Sequence, residues 1–342
     1  IRKSFWSLAP CTLAALTLLV ALPSGARATD PAPAVAVEHG CLGWEPGSQF
    51  QRPLGIFFDT VKQECYVADT GNGQVIVCDT NGSPLYRFTH FVETDGHSVP
   101  GQPRSITVDG AGRIFLADDS SAELDVLDTT GRRITSIAAP GDHCGLKDGF
   151  ELVALGPGGV YATLSCASRR VVVINNDLTI ARVITLRWKD TADRACLTGL
   201  AVDAQGGIYV TDACASEMVQ MYDPDGGLLR SFGTHETGLE NFSFASGIAL
   251  TNDGHMWIVD TLRHLVSFFT PEGTRITTVG GKGTEPGAMQ YPSCVTTDGE
   301  GRVFVAERVG NRYQGFRLEG VPAGDHPAQS QLGMLLETVG ND

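Results

Sequence analysis

Positively charged residues are few in this sequence, which argues against a nucleic-acid-binding protein. The 342 residues include 25 Lys and Arg against 39 Asp and Glu, so the formal net charge is −14. Proteins that bind nucleic acids need a basic surface to neutralise the phosphates. We therefore expect no nucleic-acid partner. An acidic surface suits a cationic partner, or it serves only to keep the protein soluble.

Long apolar runs are also lacking, except near the start of the chain. Two basic residues precede an apolar run of 12 residues, Cys11–Leu22, and small residues follow at Ala26–Ala28. This order is typical of a secretory signal peptide, and the run is short for a bilayer-spanning helix. We interpret residues 1–28 as a signal peptide and residues 29–342 as a single domain, secreted or periplasmic and without a membrane span.

Helical periodicity is absent too, and a repeat of short strands takes its place. Residues 53–88 have the pattern of four strands separated by three tight turns. In five of six such units an acidic residue ends the second strand, and Ser165 stands there in the third unit. The acids are Asp69, Asp118, Asp212, Asp260 and Glu307. They recur at a spacing of 47–49 residues, or of two such units across the third. A strand-only repeat of this length indicates propeller blades.

Pairs that contain glycine supply most of the turns within the units, and Asn175–Asp177 fills this role between the third and fourth strands of the third unit. Ala111-Gly112 and Gly206-Gly207 separate the first and second strands, and Asn81-Gly82 and Asp225-Gly226 separate the third and fourth. Glycine provides the positive φ that hairpin turns need. A lone sheet of this kind leaves two edges and two apolar faces bare, whereas six around an axis cover them. The sequence predicts an all-β fold, a six-bladed β-propeller of four-stranded antiparallel blades.

Closure of such a ring requires one blade built from both ends of the chain. Ala34–His39 or Met334–Val339 could supply its outer strand, and the sequence does not decide between them.

Nine cysteines are present, and loss of Cys11 with the signal peptide leaves an even number, which indicates disulfides in a secreted protein. Strand positions favour Cys65 with Cys78, Cys144 with Cys166 and Cys196 with Cys214, which leaves Cys41 to meet Cys294 where the ring closes. No Cys-x-x-Cys-His motif occurs, which excludes covalently bound haem.

Several units resemble the NHL repeat, whose usual form is Pro-x-Gly-Ile-Ala-Val-Asp followed by Gly-x-Ile-Tyr-Val-Ala-Asp. The matches include Pro53–Ile56, Tyr66–Asp69, Gly199–Asp203 and Ile208–Asp212. The resemblance covers nearly all of residues 35–318 and implies a six-bladed propeller. It says little about activity, because propellers host many unrelated functions.

Two groups of enzymes use similar propellers. Amidating lyases hold zinc through histidines at the axis, and gluconolactonase-like propellers hold an axial calcium through Glu, Asn and Asp. Here no three of the eight histidines occupy equivalent inner-strand positions, and Glu151 begins an inner strand without matching asparagine partners. We therefore expect no cofactor, no metal site and a non-enzymatic binding scaffold. An enzyme of lyase or lactonase type with a metal at the central channel is the alternative.

Two kinds of polar residue remain as candidates for a site. The repeated acids suit a structural role, because an Asp before a tight turn accepts backbone N–H groups; a ring of acids for a cation is the alternative. The departures from the repeat lie at inner-strand starts and in between-blade connections, where a pocket is the default binding site. The candidate ligand-binding residues are Arg104, Asp118, Asp119, His143, Glu151 and Arg194. They predict a protein or small-molecule ligand at this channel-mouth face, and the acidity would suit a cationic one. No catalytic residue is identified.

Overall fold

The computed structural model describes residues 34–319 except 46, 142–148, 166–167, 190–193, 236 and 300. This part of the chain forms six antiparallel sheets of four strands, which are the blades. Blade 1 consists of Gly55–Asp59, Glu64–Asp69, Gln74–Asp79 and Pro84–Thr89. Blade 2 consists of Pro103–Val108, Ile114–Asp118, Leu124–Leu127 and Arg133–Ile137. Blade 3 consists of Phe150–Gly156, Gly159–Leu164, Arg170–Asn175 and Ile180–Thr185. Blade 4 consists of Leu197–Val202, Ile208–Asp212, Val219–Tyr222 and Leu228–Phe232. Blade 5 consists of Ala245–Leu250, Met256–Asp260, Leu265–Phe269 and Arg275–Gly280. Blade 6 consists of Pro292–Thr297, Arg302–Glu307, Arg312–Glu319 and Ala34–Cys41.

Short elements connect some of these strands. The strands Gly43–Glu45 and Ser48–Gln49 form a two-stranded ribbon ahead of blade 1, and Phe91–Thr94 pairs with His97–Pro100 ahead of blade 2. One 3₁₀ turn, Thr70–Asn72, follows the second strand of blade 1. Within the described residues no helix has the length and apolar character needed to cross a bilayer.

The first strands of the blades lie at the axis, since each contacts the first strands of both neighbouring blades around a closed ring. The buried apolar side chains form six clusters, and each cluster joins two neighbouring blades. The cluster between blades 6 and 1, for example, packs Phe58 on Phe304 with ring centroids 5.0 Å apart. The predicted six-bladed propeller is confirmed.

Glycines in the repeat motif allow the first strands to approach each other closely. A Cβ at Gly55 would lie 2.5 Å from the Arg104 carbonyl oxygen, and one at Gly199 would lie 2.6 Å from the Ser246 carbonyl oxygen. Such distances are far below a van der Waals contact, so any side chain there would push neighbouring blades apart. The glycine of each Gly-Ile or Gly-Leu pair therefore serves blade packing around the axis.

The ring closes through the N-terminal segment. Ala34–Cys41 pairs antiparallel with Arg312–Glu319 and forms the outer strand of blade 6, with a bulge between Val37 and His39. This is the first of the two predicted possibilities, extended to Cys41. The other segment, Met334–Val339, lies outside the described residues.

The four predicted disulfides have three different outcomes. Cys196–Cys214 is confirmed, with a Cα–Cα distance of 5.3 Å. Cys144 and Cys166 lie outside the described residues. The other two pairings are wrong: the structure contains neither bond, and Cys41, Cys65, Cys78 and Cys294 are in the reduced form.

Geometry explains why neither of these two disulfides forms. Cys294 is on the first strand of blade 6 and Cys41 on the fourth, so three strand spacings, roughly 14 Å, separate them. Cys65 and Cys78 are directly opposite on neighbouring strands, but the Cys78 sulfur lies 3.8 Å from the sulfur of Cys41.

Candidate functional site

One face of the ring combines the between-blade connections with the turns that follow the second strands. In every blade a backbone N–H of that turn donates to a carbonyl oxygen of the connection before the first strand, at 2.8–3.0 Å. The donor and acceptor pairs are Gly71–Gln51, Asp119–Gln102, Ser165–Gly149, Ala213–Cys196, Thr261–Phe244 and Arg308–Tyr291. We call this surface the upper face, and the predicted ligand-binding residues within the described chain all belong to it or lie just beneath it.

The repeated acids fasten the same two segments together. The Asp69 carboxylate accepts the Gln51 N–H at 2.7 Å, and the Asp212 carboxylate accepts the Cys196 N–H at 2.9 Å. In blade 3 the Ser165 hydroxyl takes over the role and accepts the Gly149 N–H at 2.8 Å. Each carboxylate is almost wholly buried. The structural interpretation of the repeat therefore accounts for these acids in the described chain.

Asp118 has an additional partner that the sequence did not indicate. The imidazole of His90 is held between two buried carboxylates, with Nδ1 2.8 Å from Asp118 and Nε2 2.8 Å from Asp125. Arg133 also contacts Asp125, at 3.0 Å. Burial alone would lower the pKa of His90, but the hydrogen bonds and charges of the two carboxylates outweigh it and raise the pKa above its ordinary value.

The first strands surround a central cavity of about 790 Å³, a size suited to a small molecule. Much of its polar wall already takes part in contacts between blades. The Ser293 hydroxyl donates to the Pro53 carbonyl at 2.9 Å, and the Thr198 hydroxyl donates to the Ala245 carbonyl at 2.8 Å. These bonds hold the ring together, so we do not count these hydroxyls among the groups that are free to bind a ligand.

Between blades 3 and 4 an ion pair also joins neighbouring blades. Arg169 Nη1 lies 2.6 Å from the Asp212 carboxylate, and the two side chains are 11% and 0% exposed. The guanidinium also stands over the ring of Trp188, 5.5 Å from its centre. Nothing in the sequence indicated this contact.

Three charged residues lie close together on blades 2 and 3, and one of them, Arg104, lines the cavity. Arg104 Nη1 lies 3.1 Å from the Asp119 carboxylate, and each side chain is about one-third exposed. Glu151 is half-buried beside them, and within the described residues its carboxylate has no hydrogen bond or ion pair. Burial raises the pKa of Glu151, Arg104 opposes that rise and Asp119 adds to it. Such a carboxyl can accept a hydrogen bond from a ligand or pair with its cation.

The opposite side of the mouth, on blades 5 and 6, has a different character. Phe244 is 36% exposed and borders the cavity. Arg308 borders it as well, with its guanidinium 5.8 Å from the ring centre of Tyr291. The mouth is therefore acidic and ionic on one side, and aromatic with a cation on the other.

The predicted site residues are only partly brought together. Arg104, Asp119 and Glu151 form one cluster. Asp118 is buried and is already engaged by His90 and the Gln102 N–H. Arg194 is exposed in the connection before blade 4, and His143 lies outside the described residues. Within the described chain, no three His, Cys, Asp or Glu side chains are grouped so that they could hold a metal ion.

The fold, but not the sequence, links this chain to known proteins. No protein-family model matches it, and no curated protein sequence matches it. A Bacteroides thetaiotaomicron protein of unknown function is similar in structure, with a TM-score of 0.63 and 16% identity over 84% of this chain and 76% of the other. A gluconolactonase from Xanthomonas campestris has a TM-score of 0.56 and 14% identity over 84% and 90%. A streptogramin B lyase has a TM-score of 0.55 and 14% identity over 84% and 98%. At these identities the likeness shows the propeller fold alone.

Proposed function

We propose that this chain is a secreted or periplasmic NHL-type propeller that binds a small molecule or a protein segment at the upper mouth of its channel, without transforming it. The observation that carries the proposal is the half-buried Glu151 carboxylate, which has no partner in the described chain and stands beside the Arg104–Asp119 ion pair. A concave cavity with a few convergent polar groups is the usual form of a binding site. The signal-like start of the sequence and the Cys196–Cys214 disulfide support secretion.

The chemistry of the mouth favours a ligand with a cationic group. An ammonium group would give Glu151 both a hydrogen bond and an opposite charge, whereas the charges of Arg104 and Asp119 beside it oppose each other. Arg104 keeps Asp119 in place, so the acidic side of the mouth is preorganised. An apolar part of the same ligand would pack on Phe244 and the cavity wall.

A thermal-shift measurement with small probes tests this proposal. Phenethylamine, choline and spermidine represent cations, and phenylpropionate and gluconate represent anions of similar size. We expect at least one cation to raise the Tm of the wild-type protein and to lose that effect in Glu151→Gln. Glu272→Gln is the matched control, because Glu272 is exposed at a turn between the third and fourth strands of blade 5.

Two outcomes would contradict the proposal. If the cations shift Glu151→Gln as much as wild type, the mouth is not their site. If mass spectrometry shows that a streptogramin B or a gluconolactone is converted faster with the protein than in buffer alone, the protein is an enzyme and the lyase or lactonase alternative replaces the scaffold.

A further inference from the structure

Two thiols from different blades meet where the ring closes. Cys41 Sγ lies 3.8 Å from Cys78 Sγ, and the two residues are 4% and 0% exposed. Cys41 ends the closing strand of blade 6, and Cys78 lies on the third strand of blade 1. Both belong to the apolar cluster that joins these blades, together with Phe304 and Tyr313.

We propose that Cys41 and Cys78 are a covalent modification site, at which a disulfide fastens the closing strand of blade 6 to blade 1. Bonded sulfurs are about 2.05 Å apart, so side-chain rotation has to bring the two atoms less than about 2 Å closer. The pair differs from both pairings that the sequence favoured for these residues. The Cys41–Cys78 disulfide would join two blades, whereas Cys196–Cys214 links the segments that flank the first two strands of blade 4.

Cys65 is the competing partner for Cys78, because the two residues are directly opposite on neighbouring strands. The contact between sulfurs nevertheless goes to Cys41. A thiolate is the nucleophile in disulfide formation. Cys41 and Cys78 are the two residues whose sulfurs the closing strand brings together.

The reaction needs a disulfide as oxidant, such as glutathione disulfide. The Cys41 thiolate attacks one of its sulfurs, which releases one glutathione thiolate and leaves a mixed disulfide on Cys41. The Cys78 thiolate then attacks Cys41 Sγ and releases the second glutathione. In sum, the two cysteines lose two protons and two electrons, and the oxidant is reduced to two thiols.

The two sulfurs are buried in the closed ring, where glutathione disulfide cannot reach them. The disulfide therefore forms during folding, before the blades close. The link joins residues 37 positions apart in sequence. It would hold the outer strand of blade 6, whose other attachment is its pairing with Arg312–Glu319. A cross-link of this span stabilises chiefly by restricting the unfolded chain.

Peptide mapping after oxidative refolding tests the proposal. The full chain is unfolded with reductant, refolded with reduced and oxidised glutathione, blocked with N-ethylmaleimide in denaturant and digested without reductant. We expect a peptide pair linked through Cys41 and Cys78, with Cys65 blocked as a free thiol. Cys65→Ser should keep the link and Cys41→Ser should lose it. A Tm difference of roughly 5 °C between oxidised and reduced protein should shrink in Cys41→Ser but not in Cys65→Ser.

The mapping also defines what would overturn the proposal. A link between Cys65 and Cys78, a link between Cys41 and Cys294, or full blocking of Cys41 while Cys196–Cys214 has formed would each do so. The blocked chain is mapped unfolded, so these results are readable even if a variant folds poorly.

Discussion

His90 Nδ1 lies 2.8 Å from the Asp118 carboxylate, and both side chains are almost wholly buried beside the first between-blade connection. The other ring nitrogen faces Asp125 at the same distance. Two carboxylates on one imidazole require a donor at each nitrogen, so the ring is held as an imidazolium. The Ser136 hydroxyl and Arg133 complete the set of groups around Asp125.

This arrangement predicts a pH-dependent stability. The pKa of His90 is raised in the folded protein, so its contribution is complete below the unfolded pKa of about 6.5 and is lost as the pH rises through the folded pKa. His90→Gln should destabilise the protein by about 3 kcal/mol at pH 6, because it leaves the buried Asp118 without its cation and leaves Asp125 with Arg133 alone. The loss should shrink as the pH rises.

Urea unfolding from pH 5.5 to pH 9 measures this effect. His97→Gln is the control, because His97 is exposed on the neighbouring two-stranded ribbon. A His90→Gln variant whose destabilisation is constant over that pH range would contradict an imidazolium at this position.

The ion pair between blades 3 and 4 gives a second prediction. Arg169→Ala should destabilise the fold by about 3–5 kcal/mol, because it leaves the Asp212 carboxylate buried without its partner. Arg132→Ala removes an ion pair whose arginine is 84% exposed and should cost well under 1 kcal/mol. Equal losses in the two variants, measured by urea unfolding at pH 7, would show that the Arg169 contact does not hold the blades together.

The Glu151 carboxylate should lower the free energy of unfolding when no ligand is bound. Its pKa is raised by burial, so ionisation at neutral pH is less favourable in the folded protein than in the unfolded chain. Well below the unfolded pKa of about 4.3 both states are protonated and the penalty vanishes. Glu151→Gln should therefore stabilise the protein by about 0.5 kcal/mol at pH 7 and have no effect near pH 3. A destabilised variant at pH 7 would mean that the carboxylate has a structural partner.

Much of the fold could be predicted because each blade carries its own signals. The spacing of the acids, the turn glycines and the strand alternation are all local, and most blades repeat them; in blade 3 Ser165 replaces the acid. The Cys196–Cys214 bond was predictable for the same reason, since Cys196 directly precedes the first strand of blade 4 and Cys214 follows the second.

The features that the sequence missed depend on contacts between blades. Cys41 meets Cys78 only because the closing strand lies next to blade 1, and no spacing along the chain encodes that register. The same holds for Arg169, which crosses from blade 3 to blade 4. At the site, Arg104, Asp119 and Glu151 were identifiable as departures from the repeat, whereas the contact of His90 with Asp118 was not.

Ligand binding at Glu151 is tested most directly by calorimetric titration with the cationic probe that gives the largest thermal shift. Wild type and Glu272→Gln should bind it equally, and Glu151→Gln should bind it at least tenfold more weakly, since a charged hydrogen bond contributes about 1.5–3 kcal/mol. The probe should be recovered unchanged. Equal affinity in Glu151→Gln, or conversion of the probe, would contradict a non-enzymatic site at Glu151.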